Sequence, residues 1–303
     1  MSTARSQREL ADGGALTVDT DYACLRLDER GSVLRVTVDH PPINLLDAAL
    51  RADLDRLSIQ LSTDDAFSVV VIASADPDFF IAHADVFGLL GRTVRHYERR
   101  GVLGQFQAML ERWRTLPQAT IGELRGAARG GGLEFLLSLD MVYAATENAV
   151  VSLPEVALGI IPGGGGTQRL ATAAGRSRAL EVILSCNDID AATAAAYGLV
   201  TRNLPNTELT TFVDVLARRI ACWPRRSIQL AKQAVDAARP APTDGLLDEY
   251  HYFNAALADH ETEARLRRFL AAGGQSREGE RDLGRNLPGM VSDADLSDQP
   301  YHR

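Results

Sequence analysis

Two glutamates in the apolar middle of the chain are the strongest candidates for acid–base chemistry. Glu134 closes the segment ARGGGLE (128–134), and Glu155 follows Pro154 in SLPEVALG (152–159). A buried carboxylate without a partner is costly, and two such acids beside one substrate are a common means of general acid–base catalysis. Two unrelated salt-bridged glutamates explain the same pattern equally well, because ion pairs also hold buried acids.

Glycines accompany both glutamates. The first cluster, 130–132, opens an apolar helix, and the second, 163–166, lies in IPGGGGTQR (161–169). Glycine lets a ligand approach main-chain N–H groups closely, and the free N–H groups at a helix N-terminus can hold a developing oxyanion. A tight strand-to-helix turn or close packing is the alternative interpretation of the first cluster, and spacing alone favours it.

Composition and absent motifs narrow the class of protein. Neither glycine cluster fits GxxxxGK[ST] or GxGxxG, and the sequence has no HExxH, no GxSxG and no Cys/His set with metal-ligand spacing, so we expect no metal. Lys and Arg number 32 against 40 Asp and Glu, a net charge of −8, which disfavours nucleic acid or an anionic membrane as the main partner. Three separated cysteines, no secretory signal and no membrane-spanning stretch indicate a cytoplasmic protein.

The elements that must position these residues alternate between strands and helices. A strand at Val33–Val38, a helix with leucines at 50, 54, 57 and 61, and a strand at 68–73 predict a crossover unit of an α/β sheet. Further short strands are predicted at the start of 79–88, where a turn or helix start follows, and at 119–124, 141–145, 149–153 and 199–204. We divide the chain into a flexible N-terminal arm (1–20), a core (21–205), a helical region (206–272) and a polar tail (273–303).

The segments around the two glutamates resemble a known family. GELRGAARGGGLEFLLSLDMVYAA (122–145) and VSLPEVALGIIPGGGGTQRL (151–170) are similar to the central signature of the crotonase superfamily, in its enoyl-CoA hydratase/isomerase branch. VVVIASADPDFFIAHADV (69–86) and SIQLAKQAV (227–235) resemble further family segments. The resemblance implies an α/β spiral of ββα repeats followed by a C-terminal helical region that forms a homotrimer or homohexamer.

The resemblance also implies a role for each matched residue. The backbone N–H groups of Ala84 and Gly131 would form an oxyanion hole for the carbonyl of an acyl-CoA thioester. Glu134, as carboxylate, would activate water for attack at C3, and Glu155, protonated, would deliver a proton to C2. Coenzyme A is part of the substrate, so no separate cofactor is implied. The matched substrate-binding positions are Asn44, Leu45, Leu46, Ala82, His83, Asp85, Gly130, Gly132, Pro154 and Gly163.

Two residues depart from the family pattern. His83 stands where the family usually has a small residue, commonly glycine, so a positive φ there would strain it. Its ring would narrow the pocket or add a third titrating group, although a lone histidine is more often a packed bystander. Phe87 takes a position that is often lysine, which weakens the expected contact with the nucleotide end of coenzyme A.

The resemblance favours hydration of trans-2-enoyl-CoA and leaves two alternatives open. One is another reaction on the same acyl-CoA enolate, such as double-bond isomerisation by Glu155 alone. The other is a non-catalytic acyl-CoA binder, which His83 and Phe87 suggest. Acyl chain length and pathway are not encoded in any segment that matches the family.

Overall fold

Two β-sheets and the helices around them make up the described part of the computed structural model, which comprises residues 21–91, 98–99, 101–238 and 243–291. The expected N-terminal arm, 1–20, lies outside the described residues. The strands are β1 Leu25–Arg30, β2 Val33–Val38, β3 Val69–Ser74, β4 Phe79–Ile81, β5 Ala119–Leu124, β6 Ala127–Arg129, β7 Met141–Ala145, β8 Val150–Ser152, β9 Ile189–Asp190 and β10 Arg202–Leu204. The helices are α1 Ala48–Thr63, α2 Gln105–Arg114, α3 Gly131–Leu136, α4 Gly166–Ala174, α5 Arg176–Ser185, α6 Ala191–Tyr197, α7 Asn206–Ala221, α8 Arg225–Ala237, α9 Thr243–Leu257, α10 His260–Ala271, α11 Arg277–Arg281 and α12 Leu283–Val291, with a 3-10 turn at Pro154–Leu158.

The larger sheet has the order β1-β2-β3-β5-β7-β10. All neighbouring pairs are parallel except β1 and β2. The predicted strand–helix–strand unit is confirmed, because β2 and β3 pair in parallel and α1 connects them. The first five residues of β3, VVVIA, are apolar because α7 packs on the sheet and the leucines of α1 share the same core. Sequence analysis missed only β1 in this sheet, whose alternating LRLDER pattern includes four charged residues.

The smaller sheet positions the predicted site. Its order is β4-β6-β8-β9, and β4, β6 and β8 are parallel neighbours. The carboxyl ends of parallel strands meet at one edge of a sheet, where ligands of open α/β sheets usually bind. The three segments that leave this edge are 82–85 after β4, 130–134 after β6 and 153–155 after β8. Topology alone therefore brings the predicted oxyanion residues and both glutamates to one place.

The C-terminal segment corrects one expectation. Residues 277–291 form α11 and α12 rather than a polar tail, whereas 292–303 lie outside the described residues. Leu283 and Leu287 of α12 are buried against Phe269 and Leu158. Their spacing of four residues is a helical stripe, which the Gly-rich and charged composition of the segment masked. Across the described residues no helix is both long and apolar enough to cross a bilayer. The trimer or hexamer stays a prediction.

Candidate active site

The three segments at the edge of the smaller sheet enclose a small cavity. It has a volume of about 40 Å³ and a mainly apolar wall. Its lining includes both expected oxyanion residues, Ala84 and Gly131, together with Glu155. The opposite wall comes from the C-terminal helices and includes Phe269, Leu283 and Leu287. The cavity therefore combines the predicted oxyanion residues and Glu155 with a wall that the sequence does not predict, and Glu134 is not among its lining residues.

The two expected oxyanion donors face each other. Leu46 pairs with the 83–85 segment, because its N–H donates to His83 O at 2.9 Å and its carbonyl accepts from Asp85 N at 3.2 Å. In the described chain no acceptor takes the N–H of Ala84 or of Gly131. A Cβ on Gly131 would lie 3.5 Å from Ala84 Cβ, so the two backbones approach closely. Two free amides on one cavity are the arrangement that stabilises a thioester oxyanion.

Glu134 accepts two hydrogen bonds from the second glycine cluster. Its Oε1 accepts from Gly164 N at 2.7 Å and from Gly166 N at 2.9 Å. Burial raises the pKa of Glu134 to about 7 and the charge of Glu249 adds to this, while the two amides oppose the shift. A Cβ on Gly166 would lie 2.8 Å from Glu134 Oε1. The tetraglycine is thus a close-fitting cradle for this carboxylate.

Glu155 has the opposite surroundings. It lies in the 3-10 turn after β8, and its Oε2 is buried with no hydrogen-bond partner in the described residues. Burial raises the pKa of Glu155 well above its usual range, and the charge of Glu134 adds to the shift. A Cβ on Gly130, whose φ is 47°, would lie 2.9 Å from Glu155 Oε1, so glycine is required there on both counts. The two acids interact, and Glu155 is the one that keeps its proton.

His83 is neither strained nor a bystander. Its φ is not positive, so the expected backbone strain is wrong. Nε2 lies 2.9 Å from Glu280 Oε1, and Nδ1 lies 2.8 Å from Ala84 O. Burial lowers the pKa of His83, but the charge of Glu280 outweighs it, so the pKa is raised. The sequence analysis missed this partner, because Glu280 lies in the segment that it took for a polar tail.

Three of the matched substrate-binding residues have structural contacts. Asn44 is buried, and its Nδ2 donates to Ser74 Oγ at 2.8 Å and to Phe79 O at 3.2 Å. A Cβ on Gly132 would collide with the backbone of β4, and one on Gly163 would lie 2.8 Å from the Phe253 ring. For these three residues the contacts point to packing of the loops rather than to contact with a ligand.

The remaining matched positions border the cavity or support its walls. Pro154 begins the 3-10 turn and lines the cavity. Ala82 is buried, and its carbonyl accepts from Arg129 N at 3.1 Å. Leu45 packs against the apolar cluster that contains Ala82. Asp85 accepts from Gln275 Nε2 at 2.9 Å, which ties the oxyanion loop to the C-terminal segment. Phe87 is 62% exposed.

A third buried carboxylate, Glu249 of α9, escaped the sequence analysis. Its Oε1 accepts from Gly165 N at 2.5 Å and from Gln107 Nε2 at 3.1 Å, and its Oε2 accepts from Thr167 N at 3.0 Å and from the Thr167 hydroxyl. The available signal was a glutamate within the apolar pattern LLDEYHYF (246–253). The described residues contain no group of three or more His, Cys, Asp or Glu side chains that could hold a metal ion.

Similarity to known proteins covers both the sheets and the helices. The family model for enoyl-CoA hydratase/isomerase matches residues 28–271. A probable enoyl-CoA hydratase of Rhizobium meliloti is 30% identical over 252 residues, 82% of this chain and 96% of its own. A short-chain-enoyl-CoA hydratase of Clostridium acetobutylicum is 30% identical over 222 residues, 73% of this chain and 84% of its own. The crystal structure of an enoyl-CoA hydratase candidate from Streptomyces avermitilis superposes with a TM-score of 0.83 at 38% identity, over 89% of this chain and 99% of that one.

Proposed function

The chain belongs to the enoyl-CoA hydratase/isomerase family and has its crotonase fold, and from that premise we propose that it is an enoyl-CoA hydratase. The reaction is syn addition of water to a trans-2-enoyl-CoA thioester. Family membership covers hydratases and isomerases alike, so the choice between them rests on the residues of the cavity. The observation that carries it is the contrast between the amide-held Glu134 and the unpartnered Glu155.

The oxyanion pair activates the substrate. The N–H groups of Ala84 and Gly131 bind the thioester carbonyl and stabilise the enolate oxygen that forms when C3 is attacked. One such donor contributes about 3 kcal/mol to related acyl chemistry. Coenzyme A enters as part of the substrate and supplies the thioester, and the two amides hold its carbonyl beside the apolar wall.

The two glutamates divide the proton transfers. Glu134, as carboxylate, removes a proton from water while the water oxygen bonds to C3. The enolate then takes a proton at C2 from the neutral Glu155, which completes syn addition. Return of the proton from Glu134 to Glu155 resets the pair. The pKa of about 7 suits Glu134 as a base near neutral pH, and the higher pKa of Glu155 suits an acid.

Single Gln substitutions at the two glutamates test the proposal. We expect Glu134→Gln and Glu155→Gln each to lower the turnover of trans-2-enoyl-CoA by about 100- to 10,000-fold, because each removes one proton transfer. Loss of the conjugated enoyl absorbance, from short to long acyl chains, measures it. Glu181→Gln, at an exposed carboxylate of α5, is the control and should retain activity.

Other outcomes of the same assay select the rival functions. A wild type that shifts the double bond of a 3-enoyl-CoA but hydrates nothing would be an isomerase, and only Glu155→Gln would then abolish turnover. Thermal stabilisation by acyl-CoA without turnover at any chain length would identify a binder. Unchanged hydration in both variants would contradict the proposed roles of the two acids.

A further inference from the structure

Four successive amides at the start of α4 alternate between two buried carboxylates. Gly164 and Gly166 donate to Glu134, whereas Gly165 and Thr167 donate to Glu249. The two acids come from different helices, α3 and α9, and are 3% and 1% exposed. The left-handed Gly165, at φ 100°, lies at the centre of this alternation and requires glycine. If either carboxylate released its amides, the segment could rotate. The other carboxylate would then lose its own hydrogen bonds.

We propose that Glu249 is a positioning residue for the general base, which it serves by fixing the 164–167 segment on Glu134 and by adding a second negative charge beside it. The proposal rests on the function proposed above. Glu134 Oε1 is occupied by its two amides, so Oε2 is the oxygen left to receive a proton from water. Glu249 acts on this geometry through the backbone, and neither it nor Glu134 is among the residues that line the cavity of the oxyanion residues.

Burial raises the pKa of Glu249, and four hydrogen-bond donors oppose this shift by stabilising its carboxylate. Besides the two backbone amides, Gln107 Nε2 and the Thr167 hydroxyl donate to it. Gln107 is itself fully buried, and its Nε2 also donates to Leu246 O at 2.8 Å, so the donor is held in place. A neutral glutamine at 249 would turn its amide N–H groups toward two of these donors. The site therefore requires an acceptor-only side chain.

Three titratable or charged groups face Glu134. Glu249 faces it from α9, Glu155 from the 3-10 turn and Arg169 from α4, where Arg169 also donates to Gly164 O at 2.7 Å and to Glu111 at 2.5 Å. Burial raises the pKa of Glu134, Glu249 raises it further, and Arg169 lowers it. Removal of the Glu249 charge must therefore lower the pKa of Glu134 and weaken it as a base.

The pH profile of Glu249→Gln tests the proposal. We expect the acidic limb of the pH profile of kcat/KM to move to lower pH by about one unit. At pH values above this limb, kcat should fall several-fold while KM changes little. Glu249→Asp keeps the charge and should leave the limb in place. A merely structural Glu249 would reduce the active fraction without moving the limb. An unmoved limb in Glu249→Gln would overturn the proposal.

A matched control separates the effect from general loss of a buried acid. Glu123 of β5 is also buried, and it pairs with Arg35 at 2.6 Å in the larger sheet. Glu123→Gln should destabilise the protein and leave the limb unmoved. If Glu249→Gln does not fold, Thr167→Val removes one donor and keeps the charge. We then expect a several-fold loss of kcat at an unchanged limb, and an unchanged kcat would contradict the positioning role.

An activity-independent readout distinguishes this proposal from the proposed function. The carboxylic acid band in the infrared spectrum, assigned to Glu134 by its loss in Glu134→Gln, should titrate near pH 7 in the wild type and lower in Glu249→Gln. A wild type without hydratase activity would refute the proposed function, and the band would still decide whether Glu249 tunes Glu134. An identical midpoint in both proteins would overturn the inference.

Discussion

The surroundings of the two glutamates differ in how many N–H donors they supply. On the Glu134 side, which is not part of the cavity lining, the start of α4 brings two backbone amides to one oxygen of the carboxylate. On the Glu155 side, the turn after β8 and the C-terminal helices supply apolar side chains, and Oε2 has no hydrogen-bond partner among the described residues. Both glutamates are nearly fully buried, at 3% and 9% exposed. Burial alone therefore does not assign base and acid, and the supply of backbone donors does.

The apolar side of the cavity needs contacts of its own to stay attached to the rest of the chain. The wall of this side is the C-terminal segment, which hydrogen bonds attach to β6 of the smaller sheet and to the oxyanion loop. Glu280 attaches this segment to the oxyanion loop, because it pairs with His83 and accepts from Gln275 N at 2.8 Å. Arg129, at the end of β6, donates to Glu280 O at 3.0 Å. His83, next to the oxyanion donor Ala84, is therefore a residue that fixes the apolar wall in place.

The largest expected effect comes from breaking the pair of His83 and Glu280. Glu280→Gln leaves His83 without its charged partner, so we expect the free energy of unfolding to fall by about 3 kcal/mol. Burial then lowers the pKa of His83 instead of the partner raising it. Urea unfolding of both proteins, followed by circular dichroism, measures the loss. His83→Gln with Glu280→Gln completes a double-mutant cycle, and additive losses would show that the pair is not coupled.

The sign of the pH dependence sharpens the same prediction. The pKa of His83 is raised, so its stabilising contribution is complete below about pH 6.5 and is lost as the pH rises through the folded value. Burial raises the pKa of Glu280 but the His83 charge outweighs it, so the pKa is lowered and this contribution is lost only in acid. The difference in unfolding free energy between wild type and Glu280→Gln should shrink in alkali. An increase there would contradict the ion pair.

A smaller effect is expected on the amide-rich side. A Cβ on Gly164 would lie 2.6 Å from Glu134 Oε2 and would also meet the Phe106 ring, so Gly164→Ala displaces the base. We expect kcat to fall by about 100-fold, comparable with the loss of one general base. Gly289→Ala, in open space on α12, is the matched control and should retain turnover. Steady-state hydration rates of both variants measure this loss of kcat. Equal rates would mean that Oε2 is not the working oxygen.

The sequence could predict the two glutamates and the oxyanion residues, and not the residues that hold them. Strands β2, β5 and β7 have the predicted bounds, and Ala84, Gly131 and both glutamates follow strands at one sheet edge. Local periodicity predicts the strands, and the family resemblance supplies the site residues. Glu280 lies 197 residues from His83, and Glu249 lies 84 residues from Gly165. Such distant pairs leave no local pattern, so only the folded chain reveals them.

The smallest expected effect concerns the length of the acyl group. The apolar wall leaves a cavity of about 40 Å³, and Leu287 of α12 lines it. Leu287→Ala removes part of that wall without touching either glutamate. Because one methylene in an apolar pocket changes selectivity by about 10- to 200-fold, we expect the ratio of kcat/KM for eight-carbon over four-carbon substrate to rise by about tenfold.

The control for this change is a leucine outside the cavity. Leu184 of α5 is 62% exposed and does not line the cavity, so Leu184→Ala should leave the chain-length ratio unchanged. Measuring the ratio, rather than a single rate, removes any difference in the folded fraction between variants. A uniform loss for every chain length would mean that Leu287 only supports α12. A selective gain for longer chains would establish that the C-terminal helix, and not the loops of the smaller sheet, sets how much of the acyl group the Glu155 side accepts.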